Sequence, residues 1–329
     1  MLLGTLYALA AGLMWGLVFI GPVLLPDYPA LLQSFGRYLA FGLIALPLAW
    51  IDRSRLREFS RSDWLAALEL AFIGNLLYYA FLASAIQRAG APLPTMIIGT
   101  LPVVIALTSN WRDAERDGRL PWLKLLPSLG VIALGIALVN HTELAERAAS
   151  ATASAALGDY ALGALLAVGA VICWTWYPIR NADWLRAHPD RHPRSWATAQ
   201  GVATLPLALV GYAGFWAWQA GFAQGPAASF PMPLGPRPLV YVALMSAIGL
   251  LASWAGTLCW NEASQRLPTT LVGQLIVFET LSALSYAYAL RGQWPAAPTL
   301  AGISLLVIGV LLALRVKPEP VAALREHTA

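Results

Sequence analysis

Two charged residues lie deep inside long apolar segments of the sequence, where charges are unfavourable and usually functional. Glu279 is about 11 residues into a segment over 268–290, so at the helical rise it lies near a bilayer midplane. Its carboxyl group could carry a proton, face a substrate amine, or be neutralised by structural hydrogen bonds. Arg37 is about 10 Å inside the outer end of segment 30–51. It could pair with Glu279, meet a carboxylate, or snorkel to the headgroups. Both are candidate coupling or gating residues.

Polar and aromatic side chains at helical spacing form a second candidate feature. Asn75 shares a helical face with Tyr78 and Tyr79, because residues three and four positions apart are neighbours on a helix. A shift of 178 residues superposes this face on a similar one around residue 254. We expect the two faces to line one cavity, although such residues also join helices by packing and hydrogen bonding. The predicted substrate-binding residues are Trp15, Asn75, Tyr78, Tyr79, Trp174, Ser253, Trp254, Thr257 and Gln274.

The sequence lacks the residues that the main enzymatic alternatives need. All four histidines fall in loops or in the tail and no aspartate lies in an apolar segment, so an intramembrane zinc site or aspartyl dyad has no ligands. Neither Gly-x-Ser-x-Gly nor Gly-x-x-x-x-Gly-Lys occurs, which argues against acyl transfer and direct ATP coupling. Cys173 and Cys259 are far apart in apolar surroundings. We therefore expect no enzyme activity, no cofactor and no metal.

The composition places these side chains in a membrane. Only 12% of the residues are charged and 58% are hydrophobic, whereas a soluble domain has about 25% and 45–50%. The net charge of +4 could suggest nucleic acid as a partner, but most basic residues stand in short loops between apolar segments. We interpret that pattern as membrane topology. The expected partners are the lipid bilayer and a small-molecule substrate, and not nucleic acid.

Ten apolar segments are long enough to cross a bilayer. Lipid offers the backbone no hydrogen bonds, so segments of about 20 apolar residues must be helices. The predicted fold is an all-α polytopic membrane protein. The spans are approximately 2–25, 30–51, 64–87, 91–111, 122–140, 160–179, 195–219, 238–260, 268–290 and 296–314.

The basic residues set the orientation of the spans. Sixteen Lys and Arg fall in alternate loops and the carboxyl-terminal tail on one side, and four fall on the other. The positive-inside rule predicts that the richer side and both termini are cytoplasmic. The loops at 141–159 and 220–236 then face outside, and the expected location is the plasma membrane.

An internal repeat divides the chain into two halves. A shift of 159 residues pairs Leu46-Pro47-Leu48-Ala49 with Leu205-Pro206-Leu207-Ala208, and other matches follow in the same order. A repeat unit of five spans must re-enter the membrane from the opposite side, so the halves are inverted repeats, which many secondary transporters use for alternating access. The predicted units are a first five-helix repeat (1–140), an external linker (141–159), a second five-helix repeat (160–314) and a cytoplasmic tail (315–329).

A set of residues spread over the predicted helices resembles a known pattern. These residues are Trp15, Arg37-Tyr38-x-Ala40, Pro47, Pro102, Glu279, Gly302 and Gly309. They resemble the EamA-type branch of the drug/metabolite transporter superfamily, and the resemblance covers 2–314. The pattern differs at Gln293, where an acidic residue is usual, and at Thr280, where proline is common.

The resemblance implies a secondary transporter. Within the superfamily the sequence looks most like bacterial amino-acid exporters, including those for aromatic amino acids. A passive facilitator or channel and an exporter of other metabolites or drugs remain open alternatives, with an intramembrane enzyme behind them.

Overall fold

The computed structural model describes residues 2–112, 121–148, 153–224, 228–266, 275–292 and 294–316, and every regular element in them is helical. A single turn, Arg53–Leu56, stands between the second and third helices. In chain order the helices are α1 (Leu2–Leu24), α2 (Ala30–Ile51), α3 (Arg61–Ala89), α4 in two pieces (Pro92–Ile98 and Leu101–Arg112), α5 (Trp122–Ala148), α6 (Ala153–Ala187), α7 (Pro193–Phe222), α8 (Pro238–Arg266), α9 (Val277–Arg291) and α10 (Ala297–Arg315).

The lengths of these helices fit a protein that crosses a membrane several times. Six of them, α1, α2, α3, α6, α7 and α8, are long and apolar enough to span a bilayer, and α4, α5 and α10 contain shorter apolar stretches. The prediction of a polytopic helical membrane protein is therefore confirmed. That the chain crosses the membrane ten times, as two inverted halves, stays a prediction.

Two predicted boundaries differ from the structure. The region 141–159, predicted as an external linker, is helical over 141–148 and again from Ala153 onward. The α6 helix also continues to Ala187, beyond the predicted end of its span at 179. Residues 141–148 contain Ala, Leu, Glu and Arg, and residues 180–187 contain Ala, Leu and Arg. These are strong helix formers, so the helices persist after they leave the apolar layer. An apolar run marks the membrane-embedded part of a helix and not its ends.

The contacts between helices follow the same pattern in α1–α5 and in α6–α10. The most extensive contacts join α5 to α10 and α2 to α7, which are helices at equivalent positions in the two predicted halves. Helix α1 packs against α8 and α9, and α6 packs in the same way against α3 and α4. The interior is thus built from helices of both halves, with α1 and α6 at its centre.

Two stretches of π-helix interrupt long helices at equivalent places. Ala71–Leu77 lies within α3 and Gly249–Ala255 within α8, and the two are related by the shift of 178 residues seen in the sequence. A π-helical turn widens the backbone and changes which side chains face a given direction, and such turns are frequent at functional sites. In α8 the Ala252 carbonyl accepts a hydrogen bond from the Trp15 indole nitrogen at 3.0 Å.

A second irregularity is the break in α4 at Gly99 and Thr100. The Thr100 hydroxyl donates to the Ile97 carbonyl at 2.7 Å, and a side chain at Gly99 would meet Leu306 and Thr280. The equivalent part of the second half, 267–274, is outside the described residues. Broken helices at this depth are tolerated where they are buried in protein.

The contact between α5 and α10 generates the first prediction. A Cβ atom on Gly135 would lie 2.7 Å from the Gly302 carbonyl oxygen, whereas one on Gly130, in the same helix, would have no neighbour within 4 Å. We expect Gly135→Val to lower the free energy of unfolding by about 1–3 kcal/mol, because the helices must separate. Gly130→Val should change it by less than about 0.5 kcal/mol. Denaturation of the purified variants in detergent measures both, and equal stabilities would contradict this packing.

Candidate functional site

Buried polar and aromatic side chains from α1, α2, α3, α6, α8 and α9 meet in the interior of the bundle. We call this group the central cluster. Its members are Trp15, Arg37, Tyr38, Asn75, Tyr78, Tyr79, Trp174, Tyr177, Ser253, Thr257 and Glu279. None of these residues is more than 9% exposed. Charged and polar groups at this degree of burial in a membrane bundle are rare and point to function.

Arg37 is held at the centre of the cluster by one hydrogen bond and two aromatic rings. Its Nε donates to the Ser253 hydroxyl oxygen at 3.0 Å, and its guanidinium carbon lies 4.7 Å and 4.5 Å from the ring centroids of Tyr38 and Tyr79. Its Nη1 is buried without a hydrogen-bond partner. Because Arg37 is only 4% exposed, the interpretation that it snorkels to the headgroups is wrong. The arrangement presents one unused donor towards the interior.

Glu279 lies in the first turn of α9, where α1 crosses that helix. A Cβ atom on Gly12 would lie 3.1 Å from the Glu279 backbone nitrogen. Glu279 is 2% exposed and close enough to Arg37 and Tyr78 for Coulombic interactions. Within the described residues its carboxylate has neither a hydrogen bond nor an ion pair within 4.0 Å. The described residues therefore contain no closed ion pair between Glu279 and Arg37.

Stacked aromatic rings form one wall of the cluster. Trp174 lies in the middle, with its ring centroid 4.7 Å from that of Tyr78 and 5.0 Å from that of Tyr177, both nearly parallel to it. Trp15 meets Trp174 edge to face at 5.5 Å. Trp174 Nε1 is buried without a partner. This wall offers flat apolar surface together with one unused donor.

The two polar faces predicted on α3 and α8 both reach the interior. Asn75 Nδ2 lies 3.5 Å from Thr204 Oγ1, and Thr257 is next to the Tyr177 hydroxyl. Trp254 is less buried than the cluster and packs beside the core, with its indole nitrogen unpartnered. Gln274 is outside the described residues. That these residues bind substrate stays a prediction.

A polar network on the side of the cluster nearer the predicted cytoplasmic face was missed by the sequence reasoning. The Tyr177 hydroxyl donates to Gln200 Oε1 at 2.7 Å, and Gln200 Nε2 donates to Asn181 Oδ1 at 3.1 Å. The Trp196 indole nitrogen donates to the same Asn181 oxygen at 2.8 Å. Asn181 also approaches Asn261 Oδ1 at 3.4 Å, and Asn261 Nδ2 is unpartnered. The network joins α6, α7 and α8.

The spacing of polar residues along α6, α7 and α8 indicates this network. Tyr177 follows Trp174 by three positions and Asn261 follows Thr257 by four, so each continues a face that was already identified. Gln200 and Thr204 are likewise four positions apart on α7. The sequence analysis did not assign α7 to the interior, because isolated polar residues in an apolar run do not show which helices are neighbours.

An ion pair and an aromatic stack join the two halves at the predicted outer surface. Arg237 binds Asp27 through two nitrogens, and its Nη2 also donates to the Leu24 carbonyl at 3.0 Å. The hydrogen bond from Arg237 holds the pKa of Asp27 below its usual range. Tyr28 stacks on Tyr241 with ring centroids 4.8 Å apart, and burial raises the pKa of Tyr28.

A corresponding set of contacts lies at the predicted inner surface. Arg191 binds Glu58 at 2.5 Å, and the Trp184 indole nitrogen donates to Asp63 Oδ1 at 3.0 Å. The contacts connect the loop after α2 and the first turn of α3 with the end of α6 and the loop that follows it. At the outer surface it is the loops after α1 and α7 that meet, which is the contact expected if the two predicted halves are inverted.

A helical membrane bundle with a buried arginine, a buried glutamate and stacked aromatic rings has the construction of a membrane transporter. The EamA-like transporter family model matches residues 2–141. The chain is 56% identical to the inner membrane protein YtfF of Escherichia coli over 324 residues, which cover 97% of both chains. The chain therefore belongs to the EamA-like transporter family, and the resemblance of the sequence to EamA-type transporters is confirmed.

Two further similarities agree with this assignment. An uncharacterized transporter of Synechocystis is 29% identical over 122 residues, 37% of each chain. A protein of known crystal structure is 18% identical, with a TM-score of 0.61 over 94% of this chain and 96% of the other. The second similarity shows that the fold is shared.

Cysteine accessibility tests whether water and substrate reach the central cluster. In a background without Cys173 and Cys259, we expect Ser253→Cys to react with a membrane-impermeant thiol reagent, although Ser253 is only 5% exposed. Leu250→Cys is the matched control, because Leu250 is 42% exposed on the same helix but faces lipid. The thiolate forms only in contact with water, so Ser253→Cys should react about tenfold faster. Faster reaction at Leu250→Cys, or no reaction at either position, would show that the residues of the central cluster pack the helices together and are not reached by water.

Proposed function

We propose that the protein is a secondary transporter that exports small zwitterionic metabolites, in the first place amino acids, by alternating access around the central cluster. The observation that carries this proposal is the buried Arg37, whose Nη1 has no hydrogen-bond partner among the described residues, near an equally buried Glu279. A carboxylate and an ammonium group on one small molecule match these two charges. The site lies in the bacterial inner membrane, with both termini cytoplasmic.

The substrate carboxylate would bind Arg37. A guanidinium group has five N–H donors in a planar fork that matches the geometry of a carboxylate. Only Nε donates to a neighbouring side chain, Ser253, while Tyr38 and Tyr79 hold the guanidinium plane by cation–π contacts. Leaving a buried charge without a counter-charge is unfavourable by several kcal/mol, on the order of the values measured for broken buried ion pairs. An anionic substrate removes that penalty when it binds.

Glu279 would receive the ammonium group of the substrate or a proton. A low-dielectric interior penalises the charged form of an isolated carboxylate, so a proton or a substrate cation can exchange at this position. Such an exchange is how a proton gradient can be linked to the movement of a substrate. Among the described residues no ion pair within 4.0 Å joins Glu279 to Arg37, so the two groups can bind the two ends of one substrate.

The aromatic wall favours substrates with an apolar or aromatic side chain. Tyr78 stacks on Trp174 and Trp15 meets it edge to face, and an apolar or planar side chain of the substrate can pack against the ring edges and outer faces of this group. The outward direction of transport is taken from the resemblance to bacterial amino-acid exporters. The geometry of the site does not set this direction.

The irregular backbone supports an alternating mechanism. The π-helical segments of α3 and α8 occupy equivalent positions, and the contacts at the two surfaces are related by the same inversion. Inverted halves can exchange their conformations around a fixed midplane site. The halves would then be 1–140 and 160–314.

Flux measurements in proteoliposomes test the proposed substrate class. Labelled amino acids should move, with aromatic and apolar ones preferred, while nucleotide sugars and cationic drugs should compete weakly. Accumulation against a gradient, driven by a pH difference, would distinguish a coupled transporter from a passive facilitator. Strong competition by a nucleotide sugar or a drug, without amino-acid flux, would contradict the proposed substrate.

The Glu279→Gln substitution separates proton coupling from a structural role. Because glutamine resembles the protonated acid, the variant should lose pH-dependent net export and retain exchange of substrate across the membrane. It should also unfold within about 1 kcal/mol of the wild type, since the structure gives Glu279 no closed ion pair. The mutation Asp190→Asn, at an exposed position in the loop after α6, is the control and should leave the pH dependence unchanged. Wild-type net export by Glu279→Gln at every pH would contradict the proposed role.

A further inference from the structure

A groove of about 530 Å³ opens on the side of the bundle between α3, α4 and α6. Its floor is apolar and includes Val104, Ile172 and Ile179. Ile172 is 65% exposed, and Leu165 and Val168 on the same face of α6 are 67% and 46% exposed. Apolar side chains this exposed on a membrane helix face the hydrocarbon, so the groove opens towards lipid.

Charged residues stand at the predicted cytoplasmic end of the groove. Arg180 lies 3.9 Å from Glu69, and both side chains are about half exposed. Arg112 and Arg186 both approach Asp183, at 2.6 Å and 3.8 Å. The guanidinium groups are thus placed where the headgroups of the cytoplasmic leaflet lie, and their exposure lets a headgroup reach them.

One buried hydroxyl group in the groove has no hydrogen-bond partner in the part of the chain that the structure describes. Thr175 lines the groove and is only 6% exposed, and its Oγ1 bonds to none of the described residues. Thr108 lines the same groove, but its hydroxyl already donates to the Val104 carbonyl at 2.8 Å. A buried donor without an acceptor is unfavourable, and an oxygen atom of a bound molecule would correct it.

We propose that this groove binds one anionic phospholipid of the cytoplasmic leaflet. The phosphate group contacts Arg180 and Arg112, an acyl chain covers the apolar floor, and an ester carbonyl accepts a hydrogen bond from Thr175. Thr175 precedes Arg180 by five residues, a depth of about 7.5 Å along α6. The interfacial layer of a bilayer is about 5–8 Å thick on each side, so a phosphate at Arg180 places the ester groups near Thr175.

The groove fits a lipid better than it fits the transported substrate. A zwitterion would have to leave water for a surface that faces hydrocarbon, whereas an acyl chain already lies in that layer and packs against the apolar floor by van der Waals contact. Basic residues between helices on the cytoplasmic side are a known feature of sites for anionic headgroups. The orientation of the groove rests on the distribution of basic loops, and the lipid site does not depend on the proposed substrate.

Lipid binding to the purified full-length protein tests the proposal. Native mass spectrometry in detergent measures how much phosphatidylglycerol and how much phosphatidylcholine remains bound. Phosphatidylglycerol should bind more tightly, and Arg180→Gln should weaken it by about fivefold, the effect of one basic residue near an anionic headgroup. Glu69→Gln should strengthen it, because it removes a competing carboxylate. Arg266→Gln, which removes the same charge from the cytoplasmic end of α8, should have no effect.

A second pair of variants tests the buried hydroxyl group. Thr175→Val removes the donor with almost no change in shape and should weaken phosphatidylglycerol by about three- to fivefold, the effect of one hydrogen bond. Thr108→Val should leave binding unchanged, because that hydroxyl is already used within the protein.

Several results would overturn the proposal. They are equal binding of the two lipids, effects of Arg180→Gln and Glu69→Gln in the same direction, equal effects of the two valine variants, or displacement of the lipid by transported amino acids. The opposite signs expected for Arg180→Gln and Glu69→Gln cannot arise from a general loss of stability. If amino-acid flux fails while the lipid results hold, the proposed substrate is wrong and the lipid site stands.

Discussion

A charged guanidinium group inside a membrane must be stabilised by neighbouring side chains, and this constraint determines how the interior is built around Arg37. The guanidinium group is held by the Ser253 hydroxyl and by the faces of Tyr38 and Tyr79, and no carboxylate of the described residues pairs with it. Aromatic faces and a hydroxyl stabilise the charge without neutralising it. The site therefore retains a positive charge that an anionic group can meet, which a closed pair with Glu279 would have cancelled.

Several helices near Arg37 depart from regular α-helical geometry. The π-helical segments of α3 and α8 flank it, and α1 donates a hydrogen bond to one of them through Trp15. The α4 helix breaks at Gly99. Such irregularities are unfavourable in isolation, so their occurrence at equivalent positions indicates a shared role. The simplest role is to allow each half to bend near the site while α2, α7, α5 and α10 keep their contacts.

The positions of the helices and of the buried charges could be predicted from the sequence. The loss of hydration in lipid restricts where apolar and charged residues can occur. Sequence reasoning did less well where neighbouring helices decide the outcome. Tyr177 and Gln200 belong to a network that can be seen only once α6 and α7 are packed together. The helical turns at 141–148 and the π-helical segments leave no mark in an apolar pattern. The depth of Glu279 was inferred from a helix whose start, including Gln274, is outside the described residues.

The central claim is that Arg37 is held ready for a substrate carboxylate, and ligand affinity measures this most directly. The purified wild type and the Arg37→Gln variant are titrated with one aromatic amino acid and with its methyl ester, which keeps the amine and lacks the carboxylate. A charged hydrogen bond contributes about 1.5–3 kcal/mol, so the wild type should prefer the amino acid by about ten- to a hundredfold. The folded Arg37→Gln variant should bind both compounds equally. A preference for the amino acid that survives in Arg37→Gln would contradict the account.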